Sequence, residues 1–222
     1  KAKYPDAEFI YAKGGVIMPG LINAHNHIYS AFSRGLSING YNPGNFLEIL
    51  DGMWWTIDRN LLLKDSYYSA MANYIDCIKN GVTTMIDHHA SYGEIKGSLF
   101  AIADAAKECG VRPRLCSEVS ARGGEAKMKE AVAENAEFIR HAMADKTDMV
   151  KAMMGLHASF TCSDKTLALC RENTPEGIGF HIHVAEGMDD VYDSLKKYGK
   201  RVINRLFDND MLGEHTITGH CI

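Results

Sequence analysis

The sequence predicts an α/β fold in which parallel βα units form part of a (β/α)8 barrel. Three observations support this fold. Six short apolar segments with strand character alternate with five longer amphipathic segments along the 222 residues. Most of the apolar segments end in His, Asp or Glu, and a barrel of this type builds its active site at the C-terminal ends of its strands. The sequence contains neither of the Gly-rich phosphate-binding motifs expected in a doubly wound nucleotide-binding sheet.

The first half of the chain contains three predicted strands and two predicted helices. Residues 20–27 form a short apolar strand that ends in polar residues, and a loop rich in Asn, Gly and Trp follows it. Apolar residues at the i, i+3, i+4, i+7 spacing predict a helix over 64–80, which Gly81 ends. The next predicted elements are a strand over 82–89, a helix over 98–110 and a strand over 111–120.

The second half repeats this alternation. Met128, Val132 and Ile139 lie on one side of a predicted helix over 124–144. The remaining elements are a strand over 149–158, a helix over 163–176 that Ser163 or Asp164 could cap, a strand over 178–187, a long helix over 189–207 and a strand over 215–222. A complete barrel has eight strands and typically about 250 residues, so six βα units predict an incomplete barrel.

Composition and charge argue against several classes of protein. The net charge of -4 and the pI near 6.2 come without a basic stripe, so we expect neither nucleic acid nor a membrane as a partner. The apolar runs are too short to span a bilayer, and the first residues contain no signal-peptide core. Six cysteines without a C-x-x-C pair predict reduced thiols in a cytoplasmic protein.

His25 and His27 lie at the end of the first predicted strand. Successive strand residues point to opposite faces, so these two side chains lie on one face and can bind one ion. The H-x-H pattern is short, however, and two histidines that hydrogen-bond to loops explain it equally well. The pair alone therefore leaves a metal site and a structural role open.

His183 and Glu186 lie where the fifth strand ends. His181 shares a face with His183 but lies one layer deeper, where we expect a core histidine with a satisfied hydrogen bond. His183, nearer the C-terminal end, is the better metal ligand. Glu186 follows in the loop over the barrel mouth and could take a proton from a metal-activated water. A solvated loop carboxylate or a first-turn charge of the next helix explains Glu186 as well.

Other strand ends carry polar side chains whose roles stay open. His220 ends the sixth strand and could orient an attacking water or stabilise an oxyanion, and His157 ends the fourth strand and could contact substrate. In the Asp-His-His run at 87–89, one side chain is expected to face the pocket. Arg122 could bind an anion or a carbonyl group, but an ordinary surface arginine is the preferred interpretation.

The long loop and the fourth strand supply two further expectations. Trp54 and Trp55 could cover a flat substrate, but we expect them to pack against the barrel. Some barrels of this kind bridge two metal ions with a modified lysine at the end of the fourth strand. Lys151 lies near the start of that strand, at the opposite end of the barrel. The sequence therefore predicts one metal ion.

Four segments resemble a known family: MPGLINAHNH, GLHASFTCS, HIHVAEG and TGHC, in this order. Together they resemble the amidohydrolase superfamily, in the branch that holds chlorohydrolases, guanine deaminase and deaminases of adenosine derivatives. The resemblance covers nearly the whole chain and is more specific for the superfamily than for the substrate. It implies a TIM-like barrel of the metal-dependent hydrolase type.

The resemblance also implies roles for individual residues. These are metal ligation for His25, His27 and His183, proton transfer for Glu186, assistance to the attacking water for His220 and substrate contact for His157. The expected cofactor is one divalent metal ion, Zn²⁺ first and Fe²⁺ as the alternative, because three nitrogen ligands do not decide between them.

The chain departs from the family pattern in its second half. The family's remaining metal-site residue is an aspartate at the end of the eighth strand, and no residue here matches it. The seventh and eighth strands are also missing, so we expect a truncated chain that is inactive as it stands. Residues 1–17 resemble a remnant of a small β-sandwich, and residues 18–222 resemble the partial barrel.

These features predict a metal-dependent hydrolase that acts on C–N bonds. The expected reaction is hydrolytic deamination of a purine-like or pyrimidine-like ring by a metal-activated water. Cyclic amide hydrolysis or dehalogenation on the same barrel stays open, as does a non-catalytic, truncated metal-binding barrel. The expected partners are a small-molecule substrate and further copies of the chain in a homo-oligomer.

Overall fold

The computed structural model describes residues 3–222. The strands of this range are β1 Leu21–Asn26, β2 Val82–His89, β3 Arg112–Ser117, β4 Lys151–Ala152, β5 Met154–Ala158, β6 Phe180–Val184 and β7 Ile217–His220. The α-helices are α1 Phe46–Ile49, α2 Trp55–Asp58, α3 Leu63–Lys79, α4 Ser98–Cys109, α5 Gly124–Ala144, α6 Asp164–Glu172, α7 Met188–Tyr198 and α8 Val202–Asp208. Short 3-10 helices lie at Ile28–Ser33, Ala121–Gly123 and Ser159–Thr161, and a π-helical turn lies at Leu50–Trp54.

The strands form one curved, parallel wall. Their order is β1-β2-β3-β4 in one sheet and β5-β6-β7 in the other. The predicted strand over 149–158 is β4 and β5, divided at Met153. The N–H of Met153 donates to Leu115 O at 3.0 Å, towards β3, whereas that of Met154 donates to Gly179 O at 3.0 Å, towards β6. This strand therefore joins the two sheets.

The helices pack on the outside of this wall through the periodic apolar residues from which they were predicted. Leu99 and Ile102 of α4 and Phe138 of α5 are fully buried. They share one apolar cluster with Met85 of β2 and Leu115 of β3. Burial of each such side chain contributes about 1.5–3 kcal/mol, and this layer keeps the strand ends in register.

The single long helix predicted over 189–207 is wrong, because two helices occupy this range. α7 ends at Tyr198, and Gly199 follows in the left-handed region with φ of 66°. The N–H of Gly199 donates to Leu195 O at 3.0 Å and completes the C-terminal turn. α8 then begins at Val202, whose side chain is buried in the core.

The loop predicted after the first strand contains helical structure. Asn45 caps α1, since its side-chain oxygen accepts the N–H of Glu48 at 3.0 Å. The π-helical turn and α2 follow directly and carry Trp54 and Trp55. Each of these pieces is four or five residues long, which is too short for apolar periodicity to reveal.

The residues before β1 contain no strand within 3–20. Val16 and Ile17 are 89% and 88% exposed. The assignment of residues 1–17 to a β-sandwich stays a prediction, and residues 1 and 2 lie outside the described residues. Within the described part of the chain, no helix combines the length and the apolar character needed to cross a membrane.

Candidate metal centre

The C-terminal ends of the strands surround a cavity of about 210 Å³. Its lining includes all six predicted site residues: His25, His27, His157, His183, Glu186 and His220. They lie at or just beyond the C-terminal ends of four strands, β1, β5, β6 and β7, which belong to two different sheets. The fold thus brings together side chains that are far apart in sequence, such as His27 and His183, which are separated by 156 positions.

His27 and His183 face each other through their Nε2 atoms, 3.3 Å apart. The Nδ1 of His27 donates to His88 O at 2.8 Å, and the Nδ1 of His183 donates to His157 O at 2.7 Å. A carbonyl oxygen only accepts, so each neutral ring carries its proton on Nδ1 and a lone pair on Nε2. Two lone pairs at this distance repel each other, and a shared cation would remove the repulsion.

His25 brings a third nitrogen to the same place. Its Nε2 is buried and has no hydrogen-bond partner among the described residues. Its ring centroid lies 4.8 Å from that of His27 and 5.1 Å from that of His183. A buried polar atom is normally hydrogen-bonded, so an unpartnered nitrogen beside two others has the environment of a metal ligand.

The donor atoms form two overlapping groups that could hold an ion. One consists of His25, His183 and His220, and the other of His27, His88 and His183. Within each group the candidate ligand atoms lie within 4.8 Å of one another. His183 belongs to both groups, whereas His25 and His27 belong to one group each. Imidazole nitrogen suits zinc and iron, so these donors fit the expected divalent metal ion.

Burial keeps these rings in the form that binds metals. Burial, followed by repulsion from His27 and His220, lowers the pKa of His25 to about 4. Burial is also the main reason why the pKa of His27 is lowered. The pKa of His183 lies well below its ordinary value, again chiefly because of burial. All three imidazoles are therefore neutral at pH 7, as metal ligation requires.

Glu186 lies in the turn between β6 and α7 and points its Oε2 to within 3.5 Å of His220 Nε2. Burial raises the pKa of Glu186, and His220 partly opposes this effect. Asp190 fixes the turn, since its carboxylate accepts the N–H of Ala185 at 3.0 Å. A carboxyl group with a raised pKa can take up and release a proton near neutral pH.

His157 and the tryptophans form the aromatic side of the cavity. The Nδ1 of His157 lies 2.8 Å from Thr161 Oγ1, which fixes the ring. The ring centroid of Trp55 is 5.9 Å from that of His157, and Trp54 packs edge-on against Tyr29 at 6.5 Å. The tryptophans therefore pack against the barrel, as expected, and also line the cavity.

A buried ion cluster lies beside the cavity and was missed by sequence reasoning. Arg122 donates through Nη1 and Nη2 to the carboxylate of Asp58, and through Nε to Glu118 Oε1 at 2.9 Å. Its guanidinium lies 3.8 Å from the ring centre of Tyr92 and 5.1 Å from that of Trp55. The interpretation of Arg122 as a surface residue is wrong, since its side chain is 6% exposed.

The run at 87–89 lies outside the cavity lining, although His88 belongs to one of the two donor groups that could hold an ion. All three side chains are fully buried, and none of them lines the cavity, although we expected one to do so. His88 comes nearest, with its ring centroid 4.4 Å from that of His183. Asp87 holds the end of β1, because its Oδ1 accepts the N–H of Ile28 at 2.7 Å.

Lys151 lies at the start of β4, as predicted. Its side chain is exposed and pairs with Asp148 rather than lining the cavity. No bridging lysine is therefore present among the cavity-lining residues described, and the expectation of one metal ion stays a prediction.

Comparison with known proteins identifies the family to which the chain belongs. The model of the amidohydrolase family matches residues 16–222. The chain belongs to the amidohydrolase family. This membership, together with the parallel strands and their outer helices, confirms the predicted barrel fold.

Two similar relatives in this family are deaminases. The chain is 31% identical over 212 residues to the 5-methylthioadenosine/S-adenosylhomocysteine deaminase of Thermococcus sibiricus. This alignment covers 95% of this chain and 47% of the relative. It is 29% identical over 223 residues to the 5'-deoxyadenosine deaminase of Methanosarcina mazei. That alignment covers 100% of this chain and 49% of the relative. The chain thus spans about half the length of the curated relatives it matches.

Two solved structures share the fold. Guanine deaminase of E. coli superimposes with a TM-score of 0.74 at 16% identity, over 92% of this chain and 47% of that one. Atrazine chlorohydrolase TrzN of Arthrobacter aurescens, crystallised with zinc, superimposes with a TM-score of 0.73 at 19% identity, over 92% of this chain and 49% of that one. At these identities the likeness establishes the fold alone.

Proposed function

We propose that the protein is a metal-dependent hydrolase that removes an amino group from a heterocyclic substrate. One observation carries this proposal. Three histidine Nε2 atoms converge on one cavity, and a carboxyl group with a raised pKa lies at its mouth. A metal-binding protein without catalysis has no need of that carboxyl group.

His25, His27 and His183 would hold the metal ion, in agreement with their fixed tautomers and buried lone pairs. When bound, such an ion supplies Lewis acidity that lowers the pKa of water and polarises the reacting carbon centre.

Glu186 would act as the general base and then as the general acid. Its carboxylate takes a proton from the attacking water and gives it to the departing amine. His220, 3.5 Å from Glu186 Oε2, would orient the attacking water beside this carboxylate. Burial raises the pKa of Glu186, and this favours its role as a proton donor.

A flat, aminated ring fits the aromatic side of the cavity. Trp55 and His157 offer faces and edges against which such a ring can stack, and His157 offers a ring nitrogen for a hydrogen bond. The relatives named as deaminases of adenosine derivatives support a purine-like substrate.

Zinc is the metal ion we propose, with Fe²⁺ as the alternative that the same nitrogen donors accept. The solved atrazine chlorohydrolase contains zinc. The small-molecule substrate, the homo-oligomer and the cytoplasmic location stay proposals.

The direct test is ammonia release by the full-length protein, loaded with zinc, from a panel of aminopurines, adenosine derivatives and aminopyrimidines. Chlorotriazines and cyclic amides form the second panel, because dehalogenation and cyclic amide hydrolysis are the rival reactions. Ammonia release from the first panel supports the proposal. Turnover of the second panel alone would replace it with the rival.

A further inference from the structure

His181 contacts a proposed metal ligand without touching the cavity. Its Nε2 lies 2.8 Å from Nδ1 of His25, and its side chain is fully buried. It is absent from the residues that line the cavity. His181 therefore makes the hydrogen bond that we expect of a buried histidine, and its partner in this bond is His25.

The direction of this hydrogen bond can be read from the other side of the His181 ring. The Sγ of Cys116 donates to Asp87 O at 3.3 Å, since a carbonyl oxygen only accepts. The thiol has one proton, so the same sulfur must accept from Nδ1 of His181, which lies 3.8 Å away. A neutral His181 that donates from Nδ1 presents a lone pair at Nε2. That lone pair accepts the Nδ1 proton of His25.

The chain of hydrogen bonds therefore has one polarity from the cavity to the core. It runs from His25 through His181 and Cys116 to the carbonyl of Asp87. At the cavity end, this polarity keeps the proton of His25 on Nδ1. The Nε2 of His25 therefore carries a free lone pair that can bind a metal ion. This is the atom that is buried without a partner among the described residues.

The other two proposed ligands are oriented differently. His27 and His183 each donate from Nδ1 to a backbone carbonyl, which no substitution of a neighbouring side chain removes. His25 alone among these three depends on a side chain for its tautomer. A partner of this kind raises the basicity of a ligand and fixes its ring, and its loss typically weakens metal binding about 10–100-fold.

We propose that His181, with its own tautomer set by Cys116, is a positioning residue that holds His25 ready to bind the metal ion. This inference rests on the metal centre of the proposed function. It concerns the metal affinity of the site and leaves the identity of the substrate open.

The test compares His181→Gln with His181→Leu in the full-length protein. Glutamine can place an amide oxygen near the position of Nε2 and accept from His25, whereas leucine fills similar space without an acceptor. Zinc affinity of the metal-free protein is measured by competition with a chromogenic chelator. The thermal midpoint of each metal-free variant reports any loss of the fold.

We expect His181→Leu to weaken zinc binding about 10–100-fold and His181→Gln to stay within about threefold of the wild type. In the Co²⁺-loaded protein, the visible absorption of the leucine variant should change and that of the glutamine variant should not. Equal zinc affinity of all three proteins, or equal weakening in both variants, would overturn the inference.

Cys116→Ser and Cys116→Ala provide a second pair if the leucine variant does not fold. Serine keeps a hydrogen-bonding group for His181, and alanine removes it, so alanine alone should weaken zinc binding. Wild-type protein that binds zinc but releases no ammonia would contradict the proposed reaction while leaving this test intact. Wild-type protein that binds no metal would contradict the metal centre itself.

Discussion

At the scale of single residues, the site depends on which nitrogen of each imidazole carries the proton. Backbone carbonyls decide this for His27 and His183, and His181 decides it for His25. Burial then disfavours the protonated rings, so that the three lone pairs stay free at neutral pH. Glu186 is affected in the opposite sense, because burial favours its protonated form.

Replacement of Glu186 by glutamine should remove proton transfer and leave metal binding unchanged. Glutamine would keep the size of the side chain, but an amide neither accepts nor returns the proton at pH 7. We expect kcat for ammonia release to fall by about 10²–10⁴-fold, with the zinc content of the protein unaltered. Steady-state kinetics and metal analysis check the two parts separately.

The matched control is Asp189→Asn, in the first turn of α7, where an exposed carboxylate lies close in sequence to Glu186. This variant should keep kcat within about twofold of the wild type, as surface substitutions usually change little. Full activity of the Glu186→Gln variant would exclude the role given to this residue.

Asp87 should make stability depend on pH. Burial raises the pKa of Asp87 to about 8, although hydrogen bonds from Ile28 and Asn26 oppose the shift. The folded chain therefore binds one proton more than the unfolded chain between about pH 4 and pH 8. This contribution to stability is complete below about pH 4 and is lost at about 1.4 kcal/mol per unit as the pH rises to about 8.

Asp87→Asn tests this dependence, because asparagine keeps the acceptor for the N–H of Ile28 and cannot ionise. Relative to the wild type, its stability in urea should increase steadily from pH 5 to pH 8. The exposed Asp104→Asn serves as control and should follow the wild type. A constant difference between Asp87→Asn and wild type across this range would show that Asp87 does not hold its proton.

Single residues differed in how far their positions could be predicted. The alternation of strand side chains predicted that His25 and His27 lie on one face, and both line the cavity. Asp58 gave no signal, because its partner Arg122 is 64 positions away and the pairing depends on tertiary structure. The same holds for His181, whose contact with His25 spans 156 positions.

At the scale of elements, the segment from α1 to α2 is held over the cavity by one buried ion cluster. Asp58 is the last residue of α2, and Arg122 joins it to Glu118 after β3. The guanidinium also lies against Trp55, which faces His157. The position of the tryptophan therefore depends on a contact between two elements that are distant in sequence.

Arg122→Met should release this segment and destabilise the fold. Two carboxylates would be left buried without their cation, and removal of one partner from such a pair costs about 3–5 kcal/mol. We expect a corresponding decrease in the free energy of unfolding in urea, together with a red shift of tryptophan emission as Trp54 and Trp55 become hydrated.

Arg59→Met is the control within the same segment. Arg59 pairs with Asp51 at 3.4 Å, and both side chains are about half or more exposed, at 49% and 69%. Such surface pairs contribute about 0–1 kcal/mol, so this variant should unfold almost like the wild type. An equal, small effect of both substitutions would mean that the buried cluster does not anchor the segment.

Element prediction succeeded where apolar periodicity was long and failed where it was short or continuous. The helix predicted over 124–144 is found as α5, and the strand predicted over 82–89 is found as β2. The break at Gly199 was hidden, because apolar spacing continues across it from α7 into α8. α1 and α2 are single turns, which leave no periodic pattern.

At the scale of the whole molecule, the proposed metal ion would join the first strand to the later ones. His25 and His27 belong to the end of β1, and His183 belongs to β6. A ligand that binds only the folded state stabilises it by about 2.7 kcal/mol at a free concentration 100 times its dissociation constant. Zinc should therefore raise the thermal midpoint of the full-length protein, and EDTA should lower it.

Calorimetry with zinc and with EDTA checks this effect, and His27→Gln is the matched variant, since it removes one Nε2 donor. Its thermal midpoint should be the same in zinc and in EDTA. A zinc-dependent increase of the same size in His27→Gln would indicate that the stabilising ion binds elsewhere.

His25, His27 and His183 are proposed to form one metal site, and the metal content of each chain tests this proposal. Plasma mass spectrometry of the full-length wild type, His27→Gln and the exposed control His141→Gln supplies the comparison. We predict about one divalent ion per chain in the wild type and in the His141 variant, and close to none in the His27 variant. A wild type without metal, or a His27 variant with its full complement, would show that these three histidines do not form the metal site.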